Sequence, residues 1–249
     1  MVVKLAVVGG SIGLFLALGA LSPRVQPPVD WRATTVNVVS GALLFAFRTV
    51  LLLGADLAVE AVGGGRISLV DISPWIQGIV GFLLLDFTRY WVHRLDHRVP
   101  WLWQFHAVHH SSEHLNSTSG LRMHWVDIIQ LTAIPWVLFG LVFQVSEAVL
   151  LPVLLMGAVM DAFQHANLRL NFQNPVLRAW NTVFNNPHFH SWHHTRDGSK
   201  KDGNYGQFLT VWDRLFGSDV TEPLPPELYG LEEPLELGVV SLQLLRKRA

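Results

Sequence analysis

The sequence predicts an all-α integral membrane protein, a helical bundle of four to five transmembrane helices. Two observations carry that fold class. Half of the 249 residues are hydrophobic and 15% are charged, a balance too apolar for an ordinary soluble domain. Apolar stretches also recur at the roughly 20 residues that a bilayer core demands. Ten tryptophans and 13 prolines suit interfacial anchors and interrupted membrane helices. The formal charge of −1 gives no footprint for a nucleic-acid partner. The lack of cysteine excludes disulfides, thiolate metal sites, iron–sulfur clusters and cysteine nucleophiles together.

The first apolar stretch, about Leu5 to Leu21, ends in Ser22-Pro23-Arg24. It lacks a small-residue cleavage site, so it reads as a retained helix rather than a signal peptide. A second span covers about Val36 to Val59 and carries Arg48, a charge that should face protein rather than lipid. A third starts near Trp75 and runs through Leu85 into Asp86 and Arg89. The fourth and fifth, about Ile128 to Phe143 and Ala148 to Ala162, form a hairpin around Gln144-Val145-Ser146-Glu147. Gly63-Gly64-Gly65 lacks the strand-to-helix setting of a phosphate loop and reads as a turn. Arginines and lysines fall mainly between spans one and two, between three and four, and after five. Placing them in the cytoplasm leaves Arg66 on the far side, apart from Lys4 near the N-terminus.

All 12 histidines lie between His93 and His194. Most form three clusters: His93-x3-His97, His106-x2-His109-His110 and His190-x2-His193-His194. Residues three and four apart share a helix face, so each cluster aims its imidazoles at one point. Neutral imidazole ligates zinc, iron, copper and nickel. His124 and His165 join the candidates because each lies near an aspartate at helical spacing, Asp127 and Asp161. Ten candidate ligands exceed the four that one zinc takes and suit two metal ions. Asp86, on the stripe of Arg89, His93 and His97, is expected to accept a hydrogen bond from a ligand's second nitrogen, as are Asp127 and Asp161. The bland alternative for Asp86 is an ion pair with Arg89. His114 and His188 are expected in solvated or hydrogen-bonded roles. The orientation places every histidine on the cytoplasmic side, in a helical cap holding the dimetal site. No H-E-x-x-H or G-x-S-x-G occurs, against zinc-protease or serine-hydrolase chemistry.

The run Asp86-Phe87-Thr88-Arg89-Tyr90-Trp91-Val92-His93 to His97, followed by Leu102-Trp103 and the second cluster, resembles the fatty acid hydroxylase/sterol desaturase superfamily. Asn116, Arg122-x-His124, Phe163-x-His165-x-Asn167, the third cluster, Asn204-Tyr205-Gly206 and Trp212-Asp213-Arg214-Leu215-Phe216-Gly217 fit the same pattern. Two features depart from it. Trp125 and Val126, rather than proline, follow His124, and Asn185-Asn186-Pro187-His188 adds a histidine before the third cluster. The resemblance covers about 75–219 within a single membrane domain of 1–249. The remainder, 220–249, reads as a proline-rich exit and a C-terminal amphipathic tail.

The resemblance implies a dimetal site with two iron ions, zinc being a substitute in purified protein. Its ligands would be His93, His97, His106, His109, His110, His124, His165, His190, His193 and His194. It further implies O2 and two external electrons used to hydroxylate or desaturate a lipid C–H bond. No cysteine and no dinucleotide-binding glycine fingerprint occur, so the electrons are expected from a separate carrier or reductase at the basic cytoplasmic face. The competing reading is a non-catalytic or zinc-loaded membrane protein that binds metal or lipid.

Overall fold

A computed structural model describes residues 2–25, 29–65, 67–69, 71–144, 147–171 and 174–248. Arg66 of the far-side loop and Val145 and Ser146 of the hairpin turn lie outside the described residues. The first helices are α1 (Val2–Leu21), α2 (Trp31–Ala61), α3 (Pro74–Arg98) and α4 (Pro100–His110). α5 (Trp125–Ile128) and α6 (Ile134–Val142) follow, then α7 (Glu147–Gln164), α8 (Pro175–Val183) and α9 (Pro187–His193). α10 (Val211–Leu215) and α11 (Val239–Gln243) are short. A parallel pair of two-residue strands, β1 (Ile67–Ser68) and β2 (Phe143–Gln144), interrupts the all-helical plan. It ties the loop after α2 to the end of α6. Gly63 and Gly65 make that loop's turn at φ 65° and 70°, values that glycine adopts without steric cost.

Helix limits follow from local chemistry. Asp30 caps α2 by accepting from the Ala33 amide at 3.0 Å. Pro100 disfavours helical backbone at Val99, so α3 stops at Arg98 and α4 begins at once with the proline in its first turn. The break turns the chain so that α4 packs beside α3. α5 and α6 form one rod, Trp125–Val142, joined by a π-turn over Ile129–Ala133. Pro135 has no amide hydrogen for a regular helical bond, which accounts for the register change. Asn186 caps α9 through the amides of His188 and Phe189, with Pro187 in the first turn.

α1 packs on α7, α2 on α6, and α3 contacts α4, α6 and α7. α2 is polar inward and apolar outward. Thr34, Asn37 and Ser40 are buried, while Leu43, Val50, Leu53 and Leu57 are each at least 60% exposed. α3 likewise buries Gln77 and exposes Trp75, Ile76 and Ile79. Such faces are unfavourable in water and natural in hydrocarbon. The rods Trp31–Ala61 and Trp125–Val142 are long and apolar enough to cross a bilayer, and Leu5–Leu21 and Leu151–Gln164 are apolar but shorter.

The tail does not leave the folded unit, contrary to expectation. Thr195 bridges to Tyr229, Leu235 to Lys247, and Arg248 pairs with Glu113 at 3.3 Å. The proline-rich run is a turn-back whose edges find backbone partners.

Candidate metal centre

The α3–α4 break and the short helix α9 bring two groups of imidazoles together. His93, His97, His106, His110 and His193 form one, and His109, His165, His190 and His194 the other. Within each group every residue offers a ring nitrogen, and these atoms lie within 4.8 Å of one another. The i, i+4 pairs His93/His97, His106/His110 and His190/His194 each stay within one group, whereas the i, i+3 pairs His106/His109 and His190/His193 are divided, so a cluster serves both groups rather than one point as its spacing predicts. His109 and His110 are adjacent, so they diverge and serve different groups, as do His193 and His194.

The second ring nitrogens reveal what each group can hold. His93 Nδ1 donates to the Tyr205 carbonyl at 2.8 Å and His193 Nδ1 to the Gly203 carbonyl at 2.8 Å. His165 Nδ1 donates to the Asp161 carbonyl at 2.7 Å and His109 Nδ1 to the Arg122 carbonyl at 3.3 Å. A carbonyl only accepts, so each of these neutral rings must carry its proton on Nδ1 and turn an Nε2 lone pair inward. His109 Nε2 and His165 Nε2 then oppose lone pairs at 3.2 Å. His93 Nε2 meets His106 Nε2 at 3.0 Å, and His110 Nε2 approaches the same atom at 3.2 Å. His97 Nε2 and His193 Nε2 are buried without a partner. Opposed or orphaned lone pairs in a buried site are costly, and a cation between them removes that cost. The donor set fits two metal ions held by imidazole alone.

Burial disfavours charged rings here. It holds His193 down to about 3 and lowers His109, His110, His190 and His194 well below the ordinary histidine value. His106 differs. Burial opposes its charged form, yet the Asp127 carboxylate, accepting from His106 Nδ1 at 3.0 Å, outweighs burial and raises the pKa. Asp96 joins Asp127 around His106, its carboxylate accepting from Gln130 Nε2 at 2.5 Å. Sequence spacing paired Asp127 with His124, but the fold pairs it with His106.

Three sequence expectations need correction. His124 is in neither group. Its Nδ1 accepts from the Val126 amide at 3.1 Å, capping α5, and its Nε2 donates to the Gln243 carbonyl at 3.1 Å. Both nitrogens are used, leaving no lone pair for a metal. Asp86 touches no imidazole and forms no ion pair with Arg89. Its carboxylate accepts from the Phe208 and Leu209 amides at 3.0 and 3.2 Å and from Trp212 Nε1 at 2.9 Å. Asp161 supports His165 chiefly through its backbone carbonyl, its carboxylate standing 3.7 Å away. His188 donates to the Glu222 carbonyl at 2.7 Å, and neither it nor His114 joins a group.

The supporting groups are backbone carbonyls, which no side-chain pattern marks. Asp213 accepts from the Tyr205 and Gly206 amides, both at 2.8 Å, and from Ser218 Oγ at 2.7 Å. This fixes the 203–206 loop that presents two carbonyls. Asn204 sits at φ 57°, and its side chain spans the Phe189 and Val220 carbonyls, each at 2.9 Å. Arg122 donates to Asn37 at 2.7 Å and to Ser111 at 3.3 Å, holding its own carbonyl against His109. Asp202, 3.3 Å from His97 Nδ1, was also missed, because a lone loop aspartate carries no pattern.

A cavity of about 50 Å³ opens beside the rings, lined by His93, His106, His109, His165 and His190. A larger one of about 270 Å³, mostly apolar, lies between α2, α3, the α5–α6 rod and α7. The two share Arg89, Gly120, Met123, Leu131, Asp161 and Gln207.

Fold and site define a helical protein whose two histidine groups could hold metal, with an apolar chamber against the histidine pocket. Residues 78–218 match the family model described as fatty acid hydroxylase, and the chain belongs to that family, within the fatty acid hydroxylase/sterol desaturase superfamily. It is similar to an alkylglycerol monooxygenase of Xenopus tropicalis, 33% identical over 66% of this chain and 34% of that protein. An ornithine lipid hydroxylase of Rhizobium tropici is 33% identical over 60% of this chain and 43% of its own. A lathosterol oxidase of Mus musculus is 31% identical over 59% and 47% respectively. The matched regions thus cover between a third and half of those relatives' lengths. No solved structure matches.

Proposed function

We propose that the chain is a membrane-bound di-iron oxygenase that uses O2 and two external electrons to hydroxylate, or desaturate, a lipid C–H bond. One juxtaposition carries this reading: nine imidazoles converge in two groups, and five of them line a small cavity that shares its walls with a larger apolar one. The named activities of the relatives, all on lipids, support it. Hydroxylation balances as substrate, O2, two electrons and two protons giving alcohol and water.

An unactivated C–H bond resists the acids, bases and nucleophiles of a protein, and two bound iron ions would supply the O2 chemistry that cleaves it. His93, His97, His106, His110 and His193 would hold one ion, and His109, His165, His190 and His194 the other. The carbonyls of Gly203, Tyr205, Arg122 and Asp161 keep the Nε2 lone pairs aimed inward, and Asp127 orients His106. Phe82, Leu85, Leu131 and Phe208 of the larger cavity would bind the hydrocarbon and exclude water. In this reading α1, α2, α3, the α5–α6 rod and α7 lie in the bilayer, and the histidines face the cytoplasm. There a separate electron carrier reaches the basic face.

The test is protein produced in iron-rich medium and assayed for metal content and for O2 consumption with reductant and lipid extract. About two irons per chain and lipid-dependent O2 uptake are expected. A chain that binds metal but, after loading with iron, consumes no O2 with any lipid fraction is the non-catalytic protein instead.

A further inference from the structure

The larger cavity is mostly apolar, yet two guanidiniums, Arg48 of α2 and Arg89 of α3, line it. Neither makes a hydrogen bond or ion pair with any described residue. Two carboxylates also line the cavity, but they do not neutralise the pair. Asp86 has its oxygens occupied by two backbone amides and Trp212. Asp161 influences both arginines electrostatically without reaching salt-bridge distance of either. Arg89 is half-buried and Arg48 exposed at the outer side of α2; charge left unpaired beside hydrocarbon is still unfavourable, and arginine's planar fork matches a carboxylate or phosphate.

We propose that Arg48 and Arg89 form a subsite for the oxyanion head of an amphiphilic substrate, which enters this cavity head inward. This deepens the oxygenase reading by naming the substrate class, a lipid bearing a carboxylate or phosphate. Arg89 lies one helical turn before His93 and also borders the small cavity, so the head sits at the junction with the metal pocket. The carbon facing the histidines is then near the head rather than at the distal end of the chain. Gly120 makes room at that junction, since a Cβ there would stand 1.9 Å from Asp161 Oδ2.

The test is binding to the purified full chain in nanodiscs without reductant, read by tryptophan fluorescence. The probes are hexadecanoate, hexadecyl phosphate and hexadecanol, with one alkyl length throughout. At least one oxyanion should bind about tenfold or more tightly than the alcohol, as a charge-assisted hydrogen bond implies. Which oxyanion is preferred identifies carboxylate or phosphate as the source. R48Q and R89Q should erase the preference while leaving hexadecanol affinity unchanged, and R48K should retain part of it. Equal affinity of the wild type for all three probes overturns the proposal, as does a preference that survives both glutamine variants. Should the glutamine variants not fold, the wild-type comparison and R48K decide. No turnover is needed, so an inactive chain with oxyanion preference sinks only the oxygenase reading, and an active one without it sinks only this subsite.

Discussion

At the residue scale, two histidines both expected to bind metal have opposite assignments because of their second nitrogens. His193 has Nδ1 anchored on Gly203 and an orphaned inward Nε2, whereas His124 has both nitrogens satisfied. His193→Ala should therefore abolish activity and lower bound metal while the protein stays in the membrane. His124→Asn should keep both, since asparagine is itself a favoured cap, and His124→Ala should cost about 1 kcal/mol of stability. Metal analysis and thermal denaturation check both; loss of metal in His124→Asn would restore it as a ligand. His106 supplies a pH prediction. Its raised pKa makes it the ring that holds a proton most readily in the metal-free site, and a metal must displace that proton. Acidification should therefore weaken loading. In Asp127→Asn the carboxylate that raises the pKa is gone, so the acid midpoint of loading should move to lower pH; an unmoved midpoint would refute the role given to Asp127.

At the scale of elements, the site depends on a loop that holds no ligand. Gly206 is confined by the Leu209 carbonyl, which a Cβ would meet at 2.3 Å, and by Asp213 Oδ2 at 2.9 Å. Gly206→Ala should displace the loop carbonyl that orients His93, lowering metal affinity by 10- to 100-fold, as loss of such supports does. Metal titration checks this, and unchanged affinity would mean that the carbonyl is dispensable. The clusters themselves were legible in sequence because helical spacing fixes which side chains share a face. Their supports were not. Backbone carbonyls carry no residue identity, and Asp86, on the right helical stripe, is diverted by three donors from residues 208–212. The α5–α6 rod begins at Trp125, three residues before the apolar stretch does, because His124 caps it.

For the whole molecule, the alternation of long apolar stretches with polar segments located the long helices, and the short helices and the folding-back of the tail were hidden. That return depends on pairings such as Gln243 with Met123, 120 residues apart, which no local pattern encodes. The proposed topology is testable in this naturally cysteine-free chain. Gly64 is a poor site for a thiol, because a Cβ there would stand 2.4 Å from Val59. Val62, 65% exposed, and the exposed Ser199 are better. An impermeant reagent on intact cells should label Val62→Cys and spare Ser199→Cys; the reverse would place the histidines outside and exclude a cytoplasmic electron donor.

The inward polar face of α2 has a consequence for biosynthesis. Asn37 donates to Thr118 and accepts from Arg122, partners that emerge from the ribosome more than 80 residues later. At about 5–20 residues per second, α2 waits roughly 4–17 s with these amide groups unmatched. With α2 in the bilayer as proposed, it is held during that interval by lipid contact or by the insertion machinery, not by its own fold. The nascent chain is thus most exposed to quality control before the segment carrying Arg122 arrives, and the histidine site can form only once that wait has ended.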